Sequence, residues 1–208
     1  MPQRALRTVV VDGQRVRHAP GRKSDAEHGR DRKYLTPDEV SRLMAAAKTR
    51  GGRYGARDAL AIQMAFRHAL RASELVSLRW SQCDWAAHRI TIMRRKGSIS
   101  GVQHPLLPDE TRALRALQRE QPEGSQWIFL GERGPVSVAW FQRMLDRVGE
   151  AAGLPAVHPH MLRHAAGFAL ADKGRDLREI QLHLGHKAIS NTTQYVDLRP
   201  GRLDRIWD

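Results

Sequence analysis

Helix-start signals punctuate this chain from residue 36 onward, and they hold it to a mainly helical fold. Thr36-Pro37-Asp38-Glu39 offers a hydroxyl at an N-cap, a proline at the first helical position and a glutamate that can close a capping box. Val40, Leu43, Met44 and Ala47 follow at the spacing of one helix face. Asp176-Leu177-Arg178-Glu179 repeats the box, ahead of Gly185 as a stop. Pro108-Asp109, Ser137 and Pro159 open further helices. The spacing predicts helices over residues 57–69, 73–78, 108–120, 137–152, 159–174, 176–185 and 191–198. Strand signals are fewer. Residues 89–93 and 102–106 flank Lys96-Gly97-Ser98 and read as a β-hairpin, and residues 127–130 as a short buried strand. The expected fold is mainly α with a small antiparallel β-sheet or hairpin.

Charge narrows the partner. The 208 residues hold 35 Lys+Arg against 22 Asp+Glu, a net charge of +13. Such an excess suits a polyanion, most often nucleic acid, although a basic surface that binds nothing stays open on charge alone. With 41% hydrophobic residues the chain can build a core. No stretch approaches the roughly 20 apolar residues of a membrane span. No apolar segment of a signal peptide opens the chain, so no secretion and no membrane partner are expected. The single Cys83 excludes an intramolecular disulfide and suits a reducing cytoplasm. Residues 1–33 are thin in apolar side chains and rich in Arg and Lys, ending at Lys33. They read as a basic, largely flexible arm, with one short hairpin where Val9-Val10-Val11 meets Asp12-Gly13. The folded part is then expected over 34–208.

The residues with chemical potential cluster late. His160 and His164 lie four apart on one helix, a spacing that suits zinc, with His183 and His186 as further ligands. The segment reads His-Met-Leu-Arg-His, however, without the glutamate of a metalloprotease helix and with Arg163 beside the supposed metal. His158, His164 and His183 also read as imidazoles satisfied in the core. His160 and Arg163, three apart near a helix start, instead suit an anion, and a phosphodiester is the natural one for a basic chain. Arg71 is embedded in apolar sequence and needs an anionic partner if buried, and Glu74 can supply it as a plain helix pair. Tyr195 on a polar helix reads alone as a packing residue. A phenol, with a free pKa of about 10, becomes a nucleophile only where cations stabilise the developing charge.

Together these residues resemble the tyrosine recombinases, or phage integrases. The resemblance rests on Arg71-x-Ser73-Glu74-Leu75, Lys96 in a hairpin, His160-x-x-Arg163-His164, Leu184-Gly185-His186 and Tyr195, in order and spacing. It runs from about Tyr34 to Leu198. The segment from His158 to Ala171, His104-Pro105-Leu106-Leu107 and the terminal Ile206-Trp207-Asp208 are most similar to the short recombinases of fimbrial phase variation.

The resemblance implies a tyrosine recombinase catalytic-domain fold without a separate core-binding domain before it. Tyr195 would attack a scissile phosphate, forming a 3′-phosphotyrosyl link and freeing a 5′-hydroxyl. Arg71 and Arg163 would clamp the non-bridging oxygens, and His186 would hydrogen-bond the phosphate. Lys96 would protonate the leaving oxygen, His160 would assist proton transfer at the tyrosine, and Glu74 would orient Arg71. Arg94, Arg95 and Lys33 are expected DNA contacts. No metal, no other cofactor and no ATP are implied. The implied partners are double-stranded DNA, a homotetramer on paired sites and DNA-bending accessory proteins, in the cytoplasm at the nucleoid. Inversion of a promoter-bearing segment is the implied outcome. Two departures stand out: Ala69 occupies a position that is Gly in many members, and only the arm precedes Tyr34. A catalytically silent DNA-binding regulator of the same fold and a type IB topoisomerase-like nicking-closing enzyme are the competing readings. Leu203, Ile206 and Trp207 share an apolar face that would dock on a neighbouring protomer or on its own domain.

Overall fold

The computed structural model describes residues 34–94, 98–154 and 156–197, and the backbone of 7–11 and 14–18. The chain divides into two units, Met1–Lys33 and Tyr34–Asp208. In the first, β1 (Arg7–Val11) and β2 (Gln14–His18) form the expected hairpin, with Val9 opposite Val16 and Val11 opposite Gln14. Flexibility of the rest of the arm and docking of the tail at Leu203, Ile206 and Trp207 concern residues outside those described.

The second unit opens with α1 (Pro37–Arg50), where both halves of the capping box form. The Glu39 amide donates to Thr36 Oγ1 at 3.2 Å, and the Thr36 amide donates to Glu39 Oε2 at 2.8 Å. Val40, Leu43 and Ala47 face inward onto α2 (Gly55–Arg67). The two helices meet closely at Gly55, where a Cβ would come within 2.6 Å of the Lys48 carbonyl. Most of α2 is buried, and its charged pair Arg57 and Asp58 is tied together at 2.7 Å. α3 (Ala72–Val76) follows after a tight turn.

The small sheet has the order β3 (Cys83–Asp84), β4 (Arg89–Ile92), β5 (Val102–Pro105), all antiparallel. Ile90 and Ile92 face the core, and Ile92 pairs with Val102. β3 is an addition to the expected hairpin. After α4 (Pro108–Arg119), the expected strand at 127–130 is corrected. Ile128 and Phe129 are buried there, but regular pairing shrinks to a bridge at Trp127 and to β6 (Leu130–Gly131) against β7 (Gly134–Pro135). The segment crosses the core as an irregular strap.

The last four helices are α5 (Val138–Ala151), α6 (Pro159–Asp172), α7 (Leu177–Leu184) and α8 (Ser190–Asp197). Ser137 caps α5, and Asp176 with Glu179 boxes α7. The main core gathers Leu43, Ile62, Leu75, Ile90, Phe141 and Leu162. A smaller one joins Ala69, Ala166, Ile180, Leu184 and Tyr195, so the end of α2 is tied to α6, α7 and α8. Among the described residues, no helix is long and apolar enough to cross a membrane.

Candidate active site

The site begins at the turn after α2. Ala69 adopts φ +50°, a left-handed conformation that costs a residue with a Cβ roughly 1–2 kcal/mol. The turn presents its carbonyls inward. Ala69 O accepts from Arg94 Nη1 at 3.1 Å and also from Arg163 Nη1, and His68 O accepts from Arg94 Nη2 at 3.0 Å. Arg71 then stands at the N-cap of α3. Its amide donates to Glu74 Oε2 at 2.9 Å and its Nη1 to Glu74 Oε1 at 2.7 Å, while 28% of its side chain stays exposed.

Glu74 is 2% exposed and paired on both sides, because Arg94 Nη1 also donates to Oε2 at 2.7 Å. Burial works to raise its pKa, but the Arg71 amide and the Arg94 charge outweigh that and hold it below the usual carboxylate value. The pair therefore keeps Glu74 ionised.

Arg163 enters the same pocket from α6. It is buried, and its hydrogen bonds go to backbone oxygens, those of Ala69 and of Leu184 at 2.6 Å from Nη2. Carbonyls orient a guanidinium without neutralising it. Burial and the neighbouring Arg71 and Arg94 lower its pKa to about 10, which still leaves it charged at neutral pH.

His186 arrives through Gly185, which ends α7 in a left-handed conformation at φ +68°. Its Nδ1 meets Thr192 Oγ1 at 3.0 Å. Burial, then Arg163, Arg71 and Arg94, push its pKa down to about 4, so it is neutral at pH 7. A threonine hydroxyl donated to Nδ1 leaves the ring proton on Nε2, where it can be offered to an oxyanion.

Tyr195 comes from α8 and is 1% exposed. Its ring stands edge-on to Phe168 at 5.1 Å between centroids and nearly parallel to His186 at 6.5 Å. It lies over Gly167, where a Cβ would fall 2.6 Å from ring Cε1. Its hydroxyl meets His164 Nδ1 at 2.9 Å. Burial raises its pKa and the Arg163 charge opposes the rise, so the resting group is the phenol. The arrangement is a largely buried, cation-rich pocket with a phenol hydroxyl beside an imidazole, suited to an anionic ligand.

A model of the Phage integrase family matches residues 33–202. The chain belongs to the phage integrase family. It is 41% identical over 183 residues to the type 1 fimbriae regulatory protein FimB of Escherichia coli K12, covering 85% of this chain and 90% of that one. The type 1 fimbriae regulatory protein FimE of the same strain is 38% identical over 187 residues, with coverage of 85% and 91%. The crystal structure of XerA recombinase superposes with a TM-score of 0.70 at 25% identity, over 84% of this chain and 63% of that one. At 21% identity, XerH recombinase bound to its palindromic difH substrate shares the fold, with a TM-score of 0.69 and coverage of 83% and 52%.

Of the site residues expected for a phage integrase, the structure gathers Arg71, Glu74, Arg163, His186 and Tyr195. Lys96, Arg95 and Lys33 lie outside the described residues. Two expectations are corrected. Arg94 is not a surface DNA contact: its side chain is fully buried, held by Glu74, by Ala69 O and His68 O, and by His183 O at 2.6 Å. The strand period signals this, since 90, 92 and 94 share one face and the isoleucines point inward. The ring at the Tyr195 hydroxyl is that of His164, whereas His160, one turn earlier on α6, is exposed beside His158 at 6.5 Å between centroids. His183 is a core imidazole, bonded to Arg67 O at 2.8 Å. Among the described residues no three His, Cys, Asp or Glu side chains are grouped to hold a metal ion.

Proposed function

We propose that this phage integrase family protein is a site-specific DNA recombinase of the short, fimbrial phase-variation type, inverting a promoter-bearing segment as a tetramer on paired sites. The observation that carries it is Arg163, a buried guanidinium oriented only by carbonyls among the described residues, in one pocket with Arg71, His186 and the Tyr195 hydroxyl. Glu74 is one carboxylate shared among the guanidiniums of Arg71, Arg94 and Arg163; excess buried positive charge is costly, and a phosphodiester supplies further anionic charge.

In this reading Arg71 and Arg163 bind the non-bridging oxygens of the scissile phosphate through their planar forks. His186 adds a neutral N–H donor. Glu74 aims Arg71. Tyr195 attacks phosphorus, giving a 3′-phosphotyrosyl link and a 5′-oxygen that Lys96 protonates. The covalent link keeps the phosphodiester energy for rejoining, so no ATP is required. The likeness to FimB and FimE, whose names tie them to type 1 fimbriae, supports the inversion reading. XerH, crystallised on DNA before and after cleavage, supports a duplex partner.

The test is a nicked suicide duplex carrying the cognate site, sought among inverted repeats that flank a promoter beside the gene. Wild-type protein accumulates a covalent protein–DNA adduct, in the presence of chelator and without ATP, and Tyr195→Phe gives none. An adduct in the Tyr195→Phe protein would remove Tyr195 as the nucleophile.

A further inference from the structure

We propose that His164 is a catalytic residue of this protein, the base that takes the hydroxyl proton of Tyr195 as it attacks DNA. The inference rests on the recombinase reading above and adds a group to it. Helix α6 carries Arg163 and His164 in adjacent positions, turned about 100° apart around the axis. One points to the carbonyls of Ala69 and Leu184. The other points to α8, where its Nδ1 lies 2.9 Å from the Tyr195 oxygen. That is hydrogen-bond distance to the proton in question, the first requirement of a general base.

The proposed transfer runs from the phenol to the ring. With the phenol as donor, Nδ1 is the acceptor and the ring proton is placed on Nε2. Tyr195 cannot shed its proton to solvent, because it is 1% exposed. Gly167, one turn after Arg163 on α6, leaves room for the tyrosine ring against the helix, so α6 both seats the nucleophile and supplies the base. Among the described residues, the charged and titratable groups near His164 include Arg163 on its own helix, Tyr195 from α8 and His186 after α7, with Arg71 of α3 and Arg94 after β4 behind Arg163.

The step balances. The Tyr195 Oη–P bond forms as the P–O5′ bond breaks, the hydroxyl proton passes to His164 Nδ1, and the departing 5′-oxygen takes a proton from Lys96. Rejoining reverses each transfer. No oxidant, reductant or metal enters.

The experiment measures single-turnover cleavage of the suicide duplex from pH 5.5 to 9, with wild type, His164→Ala, His164→Gln and His160→Ala. DNA affinity measured alongside reports folding. A lost general base costs typically 10²–10⁴-fold in rate. His164→Ala and His164→Gln are expected to lose cleavage by that order while binding DNA normally. An acid-side fall in wild-type cleavage, where a required base becomes protonated, is expected to vanish in both His164 variants and to persist in His160→Ala. Added imidazole restores part of the His164→Ala rate. A 5′-bridging phosphorothiolate, whose leaving group needs no acid, rescues Lys96→Ala but not His164→Ala. The proposal is overturned if His164→Ala cleaves within threefold of wild type, or loses the same factor at every pH. It is equally overturned if His160→Ala is the variant that loses the acid limb. A wild-type protein that forms no adduct would instead sink the recombinase reading beneath it.

Discussion

Arg94 and Arg71 share one carboxylate: Glu74 accepts Arg94 Nη1 on Oε2 and Arg71 Nη1 on Oε1, each at 2.7 Å. The two arginines differ in everything else. Arg71 keeps an exposed end for a ligand, while Arg94 is wholly inside, spanning α3, the α2–α3 turn and α7. Arg94 thus ties the end of β4, two residues before Lys96, to the groups that orient Arg71. Arg94→Met leaves Glu74 half-paired and the His68 carbonyl without its donor, while Ala69 O keeps Arg163. Removing one partner of a buried ion pair costs about 3–5 kcal/mol, and urea denaturation should show a loss of that order. Arg94→Lys keeps the charge but not the fork, and should recover only a minor part of the stability. A variant as stable as wild type would mean that the network contributes nothing.

Ala69 is a second test of the same turn. It is buried at φ +50°, and its carbonyl is shared by Arg94 and Arg163. Glycine relieves left-handed strain of roughly 1–2 kcal/mol and loses roughly 0.5–1 kcal/mol to the greater freedom of the unfolded chain. Ala69→Gly should therefore be neutral to stabilising by up to about 1.5 kcal/mol. Ala69→Val, branched and with no space, should destabilise by more than that. The comparison of the two denaturation midpoints decides whether strain is stored at this turn.

Gly167→Ala addresses the nucleophile without touching its oxygen. A Cβ at 167 would lie 2.6–2.8 Å from three atoms of the Tyr195 ring, so the ring must move. Overpacking of this kind costs about 1–3 kcal/mol. The displaced hydroxyl leaves His164, and covalent adduct should fall by at least tenfold on the suicide duplex while DNA affinity stays. Undiminished adduct would show that the ring position seen here is not the one required for attack.

The basic arm can be tested by deletion. Removing residues 1–33 should weaken duplex binding and flatten its salt dependence. Each lost phosphate contact lowers the log–log slope by about 0.9. An unchanged slope would mean that the arm does not touch DNA.

Local signals carried most of the fold. Thr36 and Asp176 cap as their sequences predict, because a capping box involves residues only three apart. The strap at 127–130 reads as a strand in sequence because Ile128 and Phe129 supply an apolar run, but the core buries them with pairing only at Trp127 and Leu130. β3 is two residues long, too short for any period to show. At the site, motif spacing brought Arg71, Arg163, His186 and Tyr195 into view. It points to His160 for proton transfer and reads His164 as a core imidazole, whereas the docking of α8 places His164 at the Tyr195 hydroxyl. The contacts of Arg94 with α3 and α7 join segments far apart in sequence, and only the β4 alternation hinted at its burial.

Beneath the site lies a buried cluster with a pH signature. His68 and His104 meet Nδ1 to Nδ1 at 3.3 Å, the His104 and His183 rings stand 4.3 Å apart, and Glu110 Oε1 lies 3.3 Å from His68 Nε2. Burial, then the neighbouring His183 and His68, lower the His104 pKa to about 2. Burial lowers that of His183 to about 4 against the opposing bond to Arg67 O. Both rings are therefore neutral in the fold, while in the unfolded chain they protonate below about 6.5. Below that pH the unfolded state holds more protons, so stability falls as pH falls, down to about 4 for His183 and about 2 for His104. Each ring removes roughly 1.4 kcal/mol per pH unit over its window. Ordinary carboxylates titrate mostly at or below the lower end of this range, so urea midpoints between pH 6.5 and 4.5 report chiefly on the buried imidazoles, His186 among them. The midpoint should drop steadily there, and His104→Gln should flatten the drop by about the share of one ring. A wild-type midpoint constant from pH 6.5 to 4.5 would contradict neutral burial of His104 and His183.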